Sequence, residues 1–479
     1  YGAWYEGRGQ YLHAMAAYRR CGDYDALLRV VQEDAGILLA SLPPSEVPAA
    51  LDECPADALK AHPFALLVLM RSMFNWRNIP KMLELKALLL AALEEHPELP
   101  AEERGNLLGE CDLIMSFLCY NDISAMSRLH RSASAQMSRP AISIRSSGGW
   151  TFGSPSVLMM FYRAPGELAG ELAEMAECMP HYYKITNGHG QGAETIMRAE
   201  AAFVQGRFTD AHIALESAYA QIEGNGQENM ALCCDFLAWR ISRYAEVGPH
   251  RSFAERRTEL LRHHNASWLN LWNAVSAYCH ALRGEAELIP EVFAEHRLAS
   301  VSILAPGRPM IEMIENQVYL AQGAYAKVIG RSEGLLALCE GMHYALVALH
   351  VRLQTASAYE RLGKRGEAET LLAQALADAA PDGIVMPFAE NYRYLKPLLA
   401  AGPQTALTAR PAHEAQAARG AAHAKGMTLG GRPQGRPPVP LSVEAGVDEV
   451  DVLLVELFLG KPQPLTEALE VHDLARTQE

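Results

Sequence analysis

The chain has 479 residues, 49% hydrophobic and 20% charged. That composition lies well away from disorder and leaves room for roughly two to four compact domains or one extended array. A formal charge of −14 excludes a nucleic-acid binder along the whole length, since a duplex-binding surface needs clustered Lys and Arg to displace counterions from phosphates.

The chain opens on Tyr1 rather than Met, so a fragment of a longer gene product is expected. AAYRRCGDYDALLRVV (16–31) carries Tyr18 and Gly22 at a helix–turn–helix spacing. FNWRNIPKML (74–83) and CYNDISAMSRL (119–129) read as further turns between helices. AISIRSSGGWTFGSPS (141–156) holds Gly148, Gly149, Gly153 and Pro155 without a helical period, and reads as a long loop interrupting a helical array. Near it, Trp150, Phe152 and Tyr162 offer an aromatic wall for a small effector. The plainer use of such residues is to fill the gap where the array is broken.

NGHGQGAE (187–194) places Gly188, Gly190 and Gly192 ahead of a helix beginning near Ala193. Backbone N–H groups at a helix start can hold an anion, and His189 and Glu194 are candidate effector contacts there. The spacing is not GxGxxG, however, and PHYYKIT is no convincing buried strand. A Gly-rich loop leading into a helix accounts for the stretch equally well.

From here a pattern repeats. AEAAFVQGRFTDAHIALESA (199–218) carries Gly206, Ala211, Leu215 and Ala218, at the same offsets as Gly363, Ala368, Leu372 and Ala375 in YERLGKRGEAETLLAQAL. Tyr319 and Gly323 stand in the same relation as Tyr359 and Gly363, and Gly284 takes the same role. Gly284 to Gly323 is 39 residues, Gly323 to Gly363 is 40, and Gly206 to Gly284 is 78, two such periods with EVGPHRSFAERR at the midpoint. Each unit predicts helix, tight turn (Gly363 to Gly366 in the last one), helix. Small residues at the glycine and alanine positions would let two rods approach, with Tyr359 and Leu372 filling the space between. Four such units in phase predict an all-α fold, an α-solenoid of tetratricopeptide-like (TPR-like) hairpins, over about residues 1 to 400.

The chemistry-bearing residues stay scattered. Nine cysteines (21, 54, 111, 119, 178, 233, 234, 279 and 339) form no CxxC and read as reduced, mostly buried thiols of a cytoplasmic protein. His263 and His264 are adjacent on a helix and point about 100° apart, so they do not share a metal easily. There is no HExxH, nucleophile elbow or GxxxxGK[ST], and no catalytic residue or metal ligand is assigned. No run of 18 apolar residues and no signal peptide is visible, so no membrane partner is expected.

Composition shifts at about Gly402. Residues 402–440 hold six Gly and six Pro, and 401–440 reads as a flexible linker in which 405–426 could form a short polar helix. VDEVDVLLVELFLG (447–460) follows in a short acidic tail, 441–479.

GSPSVLMMFYRAPGEL (153–168), PHYYKITNGHGQGAETIMRAEAAFVQGRF (180–208) and PDGIVMPFAENYRYLKPLL (381–399) resemble, in order, the MalT-like repeat region of large LuxR-type transcriptional regulators. YLHAMAAYRRCGDYDALLRVV (11–31) resembles the chain as it leaves the winged-helix part of the upstream ATPase module in that family. The resemblance implies the end of such a module over 1–35 and a TPR superhelix over 36–400. It also implies an array that senses an effector small molecule or regulatory protein, with possible homo-oligomer formation. ATP would bind only in an upstream P-loop module, and DNA only through a C-terminal helix-turn-helix. Neither is evident in this chain. LTAR (407–410) runs into PAHEAQAARG rather than an acidic-hydrophobic helix, and beyond residue 440 two basic residues, Lys461 and Arg476, face nine acidic ones. The abrupt change at Gly402 favours a disrupted reading frame over a degenerated domain. The alternative is a free-standing repeat scaffold that binds another protein and has no transcriptional role.

Overall fold

The computed structural model describes residues 1–34, 46–144, 148–245, 248–263, 265–301 and 303–400. Among these the chain is all-α, with no strand. The expected boundary at residue 35, His264, the linker and the acidic tail lie outside the described residues.

α1 (Gly2–Glu6), α2 (Tyr11–Cys21) and α3 (Tyr24–Asp34) open the chain. α4 (Glu46–Glu53) and α5 (Ala56–Lys60) lead into α6 (Pro63–Asn75), α7 (Ile79–Glu95), α8 (Ala101–Ser116) and α9 (Ile123–Gln136). An irregular segment then holds only the short α10 (Val157–Phe161). α11 (Leu168–Ile185), α12 (Ala193–Val204), α13 (Phe208–Ile222), α14 (Glu228–Ile241), α15 (Phe253–Arg262) and α16 (Ala266–Arg283) follow. After α17 (Glu291–Ala294) come α18 (Arg308–Ala321), α19 (Tyr325–Gly341), α20 (Ala345–Arg361) and α21 (Arg365–Ala379), and then α22 (Met386–Glu390) and α23 (Tyr392–Ala400). Chain neighbours are spatial neighbours: α6 packs on α7, α8 on α9, α12 on α13, and α20 on both α19 and α21.

Several helix starts are fixed by short polar side chains that accept the otherwise orphaned N–H groups of the first turn. Asn78 serves α7, Asp122 α9, Ser156 α10 and Asn265 α16, while Ser252 and Glu255 form a reciprocal capping box on α15. Many helix ends share one motif. After α20, the Lys364 N–H reaches back to the Tyr359 carbonyl (2.9 Å) and the Gly363 N–H to the Glu360 carbonyl (3.0 Å), with Gly363 at φ +72°. That is a Schellman end, which satisfies two carbonyls at the cost of one left-handed residue. The same bonds close α2 at Gly22, α12 at Gly206, α16 at Gly284 and α18 at Gly323.

This corrects the expected role of the glycines. A Cβ added at Gly363 would meet nothing within 4 Å, so its backbone angle rather than its small size is required. Close approach comes from the alanines: Ala211, Ala218, Ala368 and Ala375 are wholly buried, with Leu215 and Leu372 packed between them. Gly366, expected in the turn, lies inside α21. Three further ends use the same bonds without glycine, at Arg77, His296 and His343, all at positive φ.

One apolar core runs from Ala14 to Leu398. None of the nine cysteines is in a disulfide and six are buried; burial raises the Cys111 thiol to about 11 and those of Cys279 and Cys339 to about 12. Contacts also cross between segments far apart in sequence. The Asn121 amide donates to the carbonyls of Met160 and His343 (2.9 Å each). The Asp382 carboxylate receives the Tyr162 hydroxyl and the Gly166 N–H (2.6 Å each), and the Val385 N–H reaches the Val204 carbonyl (2.7 Å). Glu390 is buried in a two-bond ion pair with Arg240 (2.7 and 3.0 Å) and accepts the Tyr278 hydroxyl. Burial opposes ionisation of Glu390, but the charge of Arg240 and its hydrogen bonds outweigh this and hold its pKa below the usual carboxylate value. The closing segment therefore clamps the middle of the array.

Candidate functional site

The irregular segment between α9 and α11 lines a cavity of about 540 Å³, within the range of small-molecule sites. Its wall is assembled from distant parts of the chain: Arg71, Phe74 and Asn75 of α6, Phe117 and Tyr120 beyond α8, Met126 and His130 of α9, and Phe161 of α10. α16 and the segment before it add His263, Asn265, Trp268, Asn270 and Asn273, and Ile311 and Tyr344 complete the turn. Phe74 packs against Phe117, Tyr120 and Phe152 with ring centroids 5.5 to 5.8 Å apart, and Trp150 stacks on Phe161 at 5.3 Å. Such pairs add to apolar burial through ring quadrupoles.

The segment that delivers Trp150 and Phe152 is held by polar bonds. Thr151 donates its N–H to the Asn229 side chain (3.2 Å) and its hydroxyl to the Ser154 carbonyl (2.6 Å). Phe152 is thereby kept at φ +51°, a left-handed conformation costly for a bulky side chain. Gly190 makes the seat for Trp150, because a Cβ there would lie 2.4 Å from the indole ring.

Of the five expected effector contacts, Trp150, Phe152 and His189 line the cavity. Tyr162 and Glu194 do not. Tyr162 is buried with its hydroxyl on Asp382, and Glu194 accepts a short hydrogen bond from the Tyr183 hydroxyl. The NGHGQGAE loop is engaged internally: the Gly190 N–H binds Gln227 (2.6 Å) and the Ala193 N–H the Tyr183 oxygen (3.2 Å).

The two buried histidines of the wall are neutral. His189 Nε2–H donates to the Gly148 carbonyl (3.2 Å), so Nδ1 accepts the Tyr182 hydroxyl (2.7 Å). Burial pushes its pKa down to about 4, and that of His130 down to about 3. Among the described residues no group of three or more His, Cys, Asp or Glu is placed to hold a metal, and no helix is long and apolar enough to cross a membrane.

Sequence reasoning missed the amides. Asn270 and Asn273 are ordinary surface residues on a helix until the fold brings Phe74 and Phe152 to the same cavity; only their shared face, three residues apart, was legible. Compared with known proteins, the sequence matches no family model and no curated protein significantly.

Proposed function

We propose that this chain is the sensor and interaction segment of a LuxR-type, MalT-like transcription regulator: a superhelix of TPR-like hairpins with a period near 40 residues that takes an effector into the aromatic cavity. The observation that carries the reading is the cavity wall, to which α6, α9, the inserted segment and α16 all contribute. A ligand there touches several helical pairs at once, so it favours whichever arrangement of pairs closes around it and shifts the population toward that arrangement. The shared glycine ends at 22, 206, 284, 323 and 363 support the repeat architecture. The change in arrangement would expose or hide a surface used for self-association. ATP hydrolysis and promoter contact belong to modules flanking the repeats. In this reading no catalytic role falls on the chain.

The coding sequence around this chain tests the reading. A P-loop ATPase encoded upstream and a helix-turn-helix downstream, in this or a shifted frame, is the expected result. Start and stop signals enclosing only the repeats would overturn it in favour of a free-standing protein-binding scaffold. Purified residues 1–479 should show no sequence-specific DNA affinity; saturable, salt-sensitive promoter binding would contradict the division of labour proposed.

A further inference from the structure

The cavity wall does not share the charge of the chain. The sequence carries −14, yet among the described residues lining the cavity there is no carboxylate and Arg71 is the one guanidinium, its Nη1 bonded to the Ser143 carbonyl. The two buried histidines are occupied by Ser116, Tyr182 and Gly148. A polyanion would find one guanidinium, and a cation would find no counter-charge. What the wall does offer is ring faces and amides. Asn270 and Asn273 are half-buried on one face of α16 without a side-chain hydrogen-bond partner among the described residues, and the side-chain Oδ1 of Asn75 is buried without one. A carboxamide presents a donor and an acceptor side by side, which matches an N–H next to a C=O on a flat ring.

Taking the cavity to be the effector site, we infer that it binds an uncharged planar aromatic with an amide-like edge, its ring against Phe74, Phe152 and Trp150 and its edge on Asn270 and Asn273. A plain hydrocarbon that displaced water from these amides would leave them unmet, which costs free energy because buried polar groups need partners. The ligand class therefore follows from which groups are already satisfied and which are not.

Calorimetric titration of the full chain with four probes built on the same two-ring frame tests this: isoquinolone, naphthalene, naphthalene sulfonate and N-methylquinolinium. Isoquinolone is expected to bind at least about tenfold more tightly than the others, the worth of one to two net hydrogen bonds. Asn270→Leu with Asn273→Leu, which keeps the branched side-chain shape and breaks no side-chain hydrogen bond among the described residues, should bring it to the level of naphthalene. Asn273→Asp should turn preference toward N-methylquinolinium. Equal or tighter binding of the sulfonate or the cation to the unaltered chain, or no effect of the paired Leu substitutions, overturns the ligand class and leaves the effector cavity standing. Absence of binding by all four probes overturns both.

Discussion

The helical pairs of residues 193–379 and the inserted segment of 137–168 reach order by opposite routes. In the α12–α13 and α20–α21 pairs the turn is closed by bonds within about six residues and the seam holds buried alanines a few positions away, so the geometry is local. In the insert local bonds are joined by many remote ones: Thr151 to Asn229, Leu158 to Glu200, Tyr162 to Asp382 and Met160 to Asn121. The locally built part supplies a rigid frame, and the remotely built part supplies the cavity. A segment whose order depends on distant partners is the one whose order a ligand can change.

The comparison can be broken most severely at the clamp. Glu390→Ala leaves Arg240 charged and buried, and should cost about 3–5 kcal/mol in denaturant unfolding. Replacing both partners with apolar residues of similar volume should recover most of that loss; an unaffected single variant would remove the clamp from the account. Acid comes next. His130 and His189 have pKa values in the fold below their unfolded value of about 6.5, so both states are neutral above that pH. Below it these two histidines take up protons in the unfolded chain and not in the fold, so their contribution to stability is fully present above about pH 6.5 and is lost as pH falls toward about 4. The loss approaches about 3 kcal/mol for each histidine and should shrink in a His130→Gln, His189→Gln double variant measured by thermal unfolding across that window.

Smaller effects separate the two uses of small residues in the pairs. Ala368→Leu overpacks the α20–α21 seam and should cost about 1–3 kcal/mol. Gly363→Ala meets no neighbour and should cost only about 1 kcal/mol, from its left-handed backbone. If the two costs were reversed, glycine would be the spacer after all. His343→Gly, at an exposed turn with φ +54°, should stabilise the fold by about a few tenths of a kcal/mol once chain entropy is offset, seen as a slight rise in Tm.

These contrasts also explain what could be read in advance. Helix content, the glycine ends and the buried alanines were legible because their causes lie within one hairpin. The turns at Arg77, His296 and His343 carry no glycine to announce their left-handed residue, although a turn around 74–83 was still visible from FNWRNIPKML. The loop at 141–156, and the place of Trp150 and Phe152 in it, were legible from broken periodicity and aromatic content. That Tyr162 and Glu194 would leave the site was not, because Asp382, which holds Tyr162, is 220 residues away, and the Glu194 bond to Tyr183 depends on how the Gly-rich loop folds.

Hydrogen–deuterium exchange of the chain with and without saturating isoquinolone is the most direct test that a cavity ligand orders the insert and the pairs together. Slowed exchange confined to about 148–161, 265–273 and 342–346 is the result expected of a bridging ligand. Unchanged exchange in all three stretches with the probe demonstrably bound would contradict it.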